Sequence, residues 1–148
     1  MKKDVRVYNV LFPVWMLVTL PMIWWIVIPG NFIIDSLVLF LAAKRLKAED
    51  PKGLYKRHIL PVFLFGFLSD ILAAIPMWGG VLLELGGIYG DSPLLTVPGV
   101  ALAGGLIFVF NYFITFRKCE KPLRKKLSLI LAVATAPYTF LIPSAWIY

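Results

Sequence analysis

The fifteen Lys and Arg residues of this chain fall in three short segments, Lys2–Arg6, Lys44–Arg57 and Arg117–Lys126, separated by long apolar runs. That arrangement restricts the fold more than any motif does. Basic clusters flanking apolar runs are the pattern of membrane-bounding loops. Composition agrees: 60% of the 148 residues are hydrophobic, only 16% are charged, and the mean hydropathy is +0.84. A soluble domain is nearer half apolar and about a quarter charged. One small core cannot hide the excess, so the chain reads as a single integral membrane domain, residues 1–148, with an all-α polytopic bundle. The net charge of +7 follows the loops and not one continuous face, so no nucleic-acid partner is expected.

Five spans are expected, at about 8–28, 32–46, 58–78, 96–116 and 127–146. The first starts after a basic Lys2, Lys3 and Arg6 but lacks an Ala-x-Ala cleavage site, which makes it an uncleaved helix kinked at Pro13 and Pro21. Pro29-Gly30-Asn31 is a turn signal, with Asn31 placed to cap the second helix. That second segment has a short apolar part, Phe32–Ala43, and must either thin the bilayer or fold back as a half-membrane hairpin. Lys44–Arg57 reads as a polar loop with a Pro51-Lys52-Gly53 turn. Glycine-rich 79–93 either prolongs the third helix or dips back into the interface. The last helix should bend at Pro137.

With the N-terminus inside and the C-terminus outside, five spans put every Lys and Arg on the cytoplasmic face. An alternative with Val10–Ala43 as one helix needs about 51 Å of helix in a core of about 30 Å and splits the basic clusters. Lys52, Lys56, Arg57, Arg124, Lys125 and Lys126 are placed to hold anionic lipid headgroups. Cys119, the only cysteine, can form no internal disulfide and reads as an inert surface thiol.

Asp35 and Asp70 are the only acids inside the expected spans. A carboxylate there costs roughly 2.5–3.5 kcal/mol, so each needs a reason to be kept. Both fall in the outer half, on helices adjacent in sequence, where a shared polar cavity would bind a cation or relay a proton. The plainer reading puts Asp35 at a helix N-terminal dipole and makes Asp70 packing glue. Asn31, Ser69 and Asn111 are further polar packing candidates. Asn31–Asp35 and Gly66–Asp70 also echo each other on antiparallel spans, as repeats do in inverted-topology transporters. His58 is the sole histidine and lacks companion ligands, so no metal is expected. No nucleophile–base pair or phosphate-cradling loop is visible, and no cofactor or enzymatic activity is expected.

Val7-Tyr8-Asn9-Val10-Leu11-Phe12-Pro13-Val14-Trp15, Phe65-Gly66-Phe67-Leu68-Ser69-Asp70 and Thr135-Ala136-Pro137-Tyr138-Thr139 together resemble a group of small, uncharacterised bacterial membrane proteins. The resemblance covers most of the chain and implies a bacterial plasma-membrane location. Asn111–Arg117 is similar to the Asn-Arg-x-x-Thr-Phe segment of flippase-like GtrA proteins, with Tyr112 in place of the Arg. With nearly all its mass in spans, the chain is expected to be a non-enzymatic subunit or accessory of a membrane assembly. The alternative is a small cation- or proton-coupled transporter or channel using Asp35 and Asp70. Either a homo-oligomer or a membrane-protein partner is expected.

Overall fold

The computed structural model describes residues 21–82 and 93–142, and all regular structure among them is helical. A 3-10 turn, Pro21–Ile23, leads into α1, Trp24–Arg45. A tight loop follows, then the long α2, Pro51–Leu82. Next come α3, Pro93–Phe110, its π-helical continuation Asn111–Thr115, and α4, Lys121–Ala134. A 3-10 turn at Tyr138–Leu141 completes the described chain. Residues 8–20 of the expected first span, the basic residues before it, the acids Glu84 and Asp91, and the end of the expected last span lie outside the described residues.

Among the described residues, three stretches are long and apolar enough to cross a membrane: Pro21–Arg45, Pro51–Gly79 and Pro93–Thr115. Their outer surfaces are apolar, with Trp25 86% exposed and Leu60, Ile75 and Phe113 also turned outward. A water-soluble chain would bury such a surface.

The expected turn at Pro29-Gly30-Asn31 does not form; all three residues lie inside α1. Pro29 forfeits one backbone hydrogen bond, whereas a turn in hydrocarbon would strand several N–H and C=O groups. The correction also removes the short second span, because α1 has 22 residues and spans roughly 33 Å. Pro51-Lys52-Gly53 is likewise not a loop turn but the first turn of α2. Asp50 caps it, its Oδ1 accepting from the Gly53 N–H at 2.9 Å, with Pro51 in the position where a missing N–H costs nothing. Glycine-rich 79–82 prolongs this helix. The fourth expected span matches α3 and its π continuation closely.

The expected last span is the other correction. Its helix starts earlier, at Lys121, and stops at Ala134 after 14 residues, roughly 21 Å, too short to cross. Pro137 ends it and does not merely bend it, because residue 136 is driven from the helical region and residue 137 has no N–H for the Val133 carbonyl. The Tyr138 hydroxyl donates to that carbonyl in its stead. Thr135 closes the end, donating from both its N–H and its hydroxyl to the Leu131 carbonyl at 2.8 Å.

Neighbouring helices are antiparallel. On the α1–α2 seam Trp24 meets Phe67, Phe32 meets Phe63 and Phe40 meets Tyr55, while the Tyr55 hydroxyl donates to Ser36 Oγ at 3.1 Å. On α2–α3, Phe65 meets Phe110, and Gly99 lies against the Met77 side chain. This up-and-down order brings all the described Lys and Arg residues to one end of the bundle. The core falls into two clusters. Leu39, Val62, Ile107, Phe116, Leu127 and Leu131 form one toward the basic end. Ala74, Met77 and Phe140 form the other. Asp35, Gly66 and Asp70 occupy the layer between.

Candidate functional site

Asp35 belongs to α1, an apolar run that is α-helical because hydrocarbon leaves no room for an unpaired backbone, although Pro29, Gly30 and its β-branched residues are poor helix formers. It sits near the helix midpoint, roughly 16 Å from either end. The sequence expectation of an acid in the first helical turn, beside the N-terminal dipole, is therefore corrected. With it goes the simplest structural reason for this carboxylate. Asp70, on α2, lies roughly 13 Å from Gly79 and at a similar depth.

Both side chains are buried, Asp35 to 4% and Asp70 to 6% exposure. Both line one cavity of about 380 Å³ between α1, α2 and the end of α4. Gly66 makes their approach feasible, since a Cβ there would stand 3.3 Å from Asp35 Oδ2. Asp70 Oδ1 has no hydrogen-bond partner among the described residues. Asn31, one turn before Asp35, also lines the cavity, so it is neither a helix cap nor a lipid-facing residue. The third wall is Ala134, Thr135 and Ala136, the C-terminal end of α4. A helix C-terminus carries about half a negative charge. No Lys, Arg or His lines this cavity among the described residues.

The arrangement concentrates negative charge in a medium that cannot screen it. Two carboxyls and a helix end of the same sign meet no Lys, Arg or His among the described residues, an arrangement that a proton or a bound cation would neutralise. A broken helix whose end faces such a site at mid-membrane is how discontinuous transporter helices meet coupling ions.

The other polar candidates sit elsewhere. Ser69 is fully buried but donates back to the Phe65 carbonyl of its own helix at 2.6 Å, and so does not tie α2 to a neighbour. Asn111 opens the π segment, its Nδ2 donating to the Ile107 carbonyl at 2.9 Å, while its Oδ1 has no described partner. Thr115 Oγ1 and Ser128 Oγ are buried in the same way. His58 Nδ1 donates to the Leu54 carbonyl at 2.8 Å and the ring rests 5.2 Å from Phe116. No group of three or more metal-ligating side chains exists among the described residues.

Of the six basic residues assigned to headgroups, Lys52, Lys56, Arg57, Lys125 and Lys126 are exposed at the basic end. Arg124 is half-buried, its guanidinium 4.2 Å over the Tyr112 ring. A second cavity, of about 520 Å³, opens between the two loops at this end, and Lys47, Arg57, Lys118 and Lys126 share its wall with Glu49, Asp50 and Glu120. Cys119 also lines it, and burial raises its thiol pKa, partly offset by Arg124.

Sequence reasoning missed the third wall of the acidic cavity. Its sequence traces are Pro137 inside an expected span and the Thr135–Thr139 segment, neither of which places it beside Asp35 and Asp70. No family model, curated protein or solved structure matches the chain.

Proposed function

We propose that this chain is a small, non-enzymatic integral protein of a bacterial plasma membrane that binds a cation in the Asp35–Asp70 cavity, as a transporter or channel or as the ion-binding subunit of one. One observation carries the reading: two buried acids and the C-terminal end of α4 face a single intramembrane cavity that no basic side chain lines among the described residues. Structural carboxylates inside a bundle are normally paired with a donor or a cation, whereas Asp70 Oδ1 has no partner among the described residues. The basic end faces the cytoplasm, by the excess of Lys and Arg in short inner loops, and its exposed lysines rest among anionic headgroups.

The test is cation and proton flux in proteoliposomes holding the full chain, compared with Asp35→Asn and Asp70→Asn. Each variant should lose about tenfold or more of the flux while assembling normally, as expected when a charge in the pathway is removed. Unchanged flux with both substitutions would sink the proposal. The expectation of a subunit or accessory role is retained in the form of a partner or second copy on the exposed apolar surface. A cross-linked pull-down from the native membrane tests it, and recovery of the uncombined chain alone would count against it.

A further inference from the structure

Resting on that cation-site reading, we infer that the cavity takes an organic ammonium ion, held by Asp35 and Asp70, with its hydrocarbon body against the small and apolar side chains of α1 and the α4 end. Size is the first argument. About 380 Å³ lies within the range of small-molecule pockets, roughly 300–1,000 Å³, and far exceeds a bare ion. The distribution of charge is the second. Among the described residues the acids of the wall are Asp35 and Asp70, on α1 and α2, with Asn31 and Thr139 as neutral polar neighbours.

The rest of the lining is apolar or small, including Val27, Ala134 and Ala136. Such a wall repays burying hydrocarbon and gives nothing to a hydrated ion. A primary ammonium supplies three N–H donors, which the Asp35 and Asp70 carboxyls on α1 and α2 can accept. Asp70 Oδ1, buried and without a described partner, is the acceptor left open. The site thus pairs a charged head position with an apolar body position, which suits an amine and not a metal ion.

The experiment uses the full chain in lipid nanodiscs. Titration calorimetry measures 2-phenylethylammonium chloride, with sodium chloride and the uncharged 2-phenylethanol as comparators. Empty nanodiscs subtract partition into lipid. Saturable binding of the ammonium is expected, weakened about tenfold or more in Asp70→Asn and in Asp35→Asn, with no saturable binding of the alcohol. Ala136→Leu, which adds bulk to the cavity wall, should weaken ammonium binding about tenfold or more in the same titration. If sodium binds and depends on Asp70 while the ammonium does not, the organic class is overturned and the cation site survives. If no cation binds and flux ignores both carboxyls, both readings fall. Ammonium binding that is indifferent to Asp35, Asp70 and Ala136 would mean a lipid-partition artefact and would also overturn the inference.

Discussion

Gly66 and Asp35 meet across the α1–α2 seam so closely that a Cβ at position 66 would stand 3.3 Å from Asp35 Oδ2. The absent side chain is what lets a carboxyl from one helix reach a cavity shared with the next. Small residues normally serve backbone approach in membrane helices. This one makes room for a charge.

Gly66→Ala therefore separates function from stability. The added methyl must push the Asp35 carboxyl by a few tenths of an ångström, so cation flux should fall about three- to tenfold, within the effect of sub-ångström misplacement at a binding group. Helix propensity moves the other way, favouring Ala over Gly by about 1 kcal/mol. The expected result is reduced flux in proteoliposomes with a thermal midpoint that holds or rises. A variant with full flux would show that Asp35 does not need this space.

Lys47 is the one non-glycine residue with positive φ among the described residues, at 54°. It ends α1, where the Ala48 N–H reaches back to the Ala43 carbonyl at 3.1 Å and the Lys47 N–H to that of Lys44 at 3.2 Å. That is the site where helices ordinarily place glycine. Lys47→Gly should stabilise the protein by about 0.5–1 kcal/mol, seen as a higher midpoint in detergent. A lower midpoint would mean that the lysine side chain holds the loop through the basic-end cavity that it lines.

Cys119 reports on the same end. Burial raises its thiol above its ordinary pKa and Arg124 draws it partly back. The thiolate is the reactive form, so a raised value means less of it at neutral pH and slower alkylation than an exposed cysteine. Maleimide labelling of the native protein should be slow near neutrality and rise as pH climbs, while the unfolded chain labels faster at each pH. Arg124→Gln removes the lowering influence and should slow labelling further. Equal rates for folded and unfolded protein would contradict the half-buried position.

Much of this site is legible in the sequence, and each part that is not has its own physical origin. Asp35 and Asp70 stood out because a lone acid in an apolar run is costly, and that cost does not depend on where the helix begins. Their depth is not legible in the sequence, because Pro29-Gly30-Asn31 reads as a turn, which needs hydrogen-bond partners from solvent. In hydrocarbon the same three residues stay helical. Asp50-Pro51 carried a cap and first-turn signal, but the following Gly53 disguised it as a turn; its missing Cβ makes room for the Asp50 carboxyl. The end of α4 was hidden for the opposite reason. Prolines 29, 61, 76 and 98 all lie within helices, whereas Pro137 terminates one. What distinguishes it is a tyrosine next in line that can satisfy the freed carbonyl, a contact that no spacing rule encodes.

That tyrosine gives the last prediction. Tyr138→Phe leaves the Val133 carbonyl without its hydroxyl donor, and a backbone acceptor stranded away from water costs about 1–3 kcal/mol. The midpoint in detergent should drop accordingly. The loss should be recovered in the double variant Tyr138→Phe, Pro137→Ala, because an alanine N–H can bond Val133 and let α4 continue. Continuing the helix carries its C-terminal end away from Asp35 and Asp70. The double variant should therefore regain stability yet keep weakened cation binding. Recovery of both would show that the helix end contributes nothing to the cavity's affinity, leaving the two carboxyls to supply all of it.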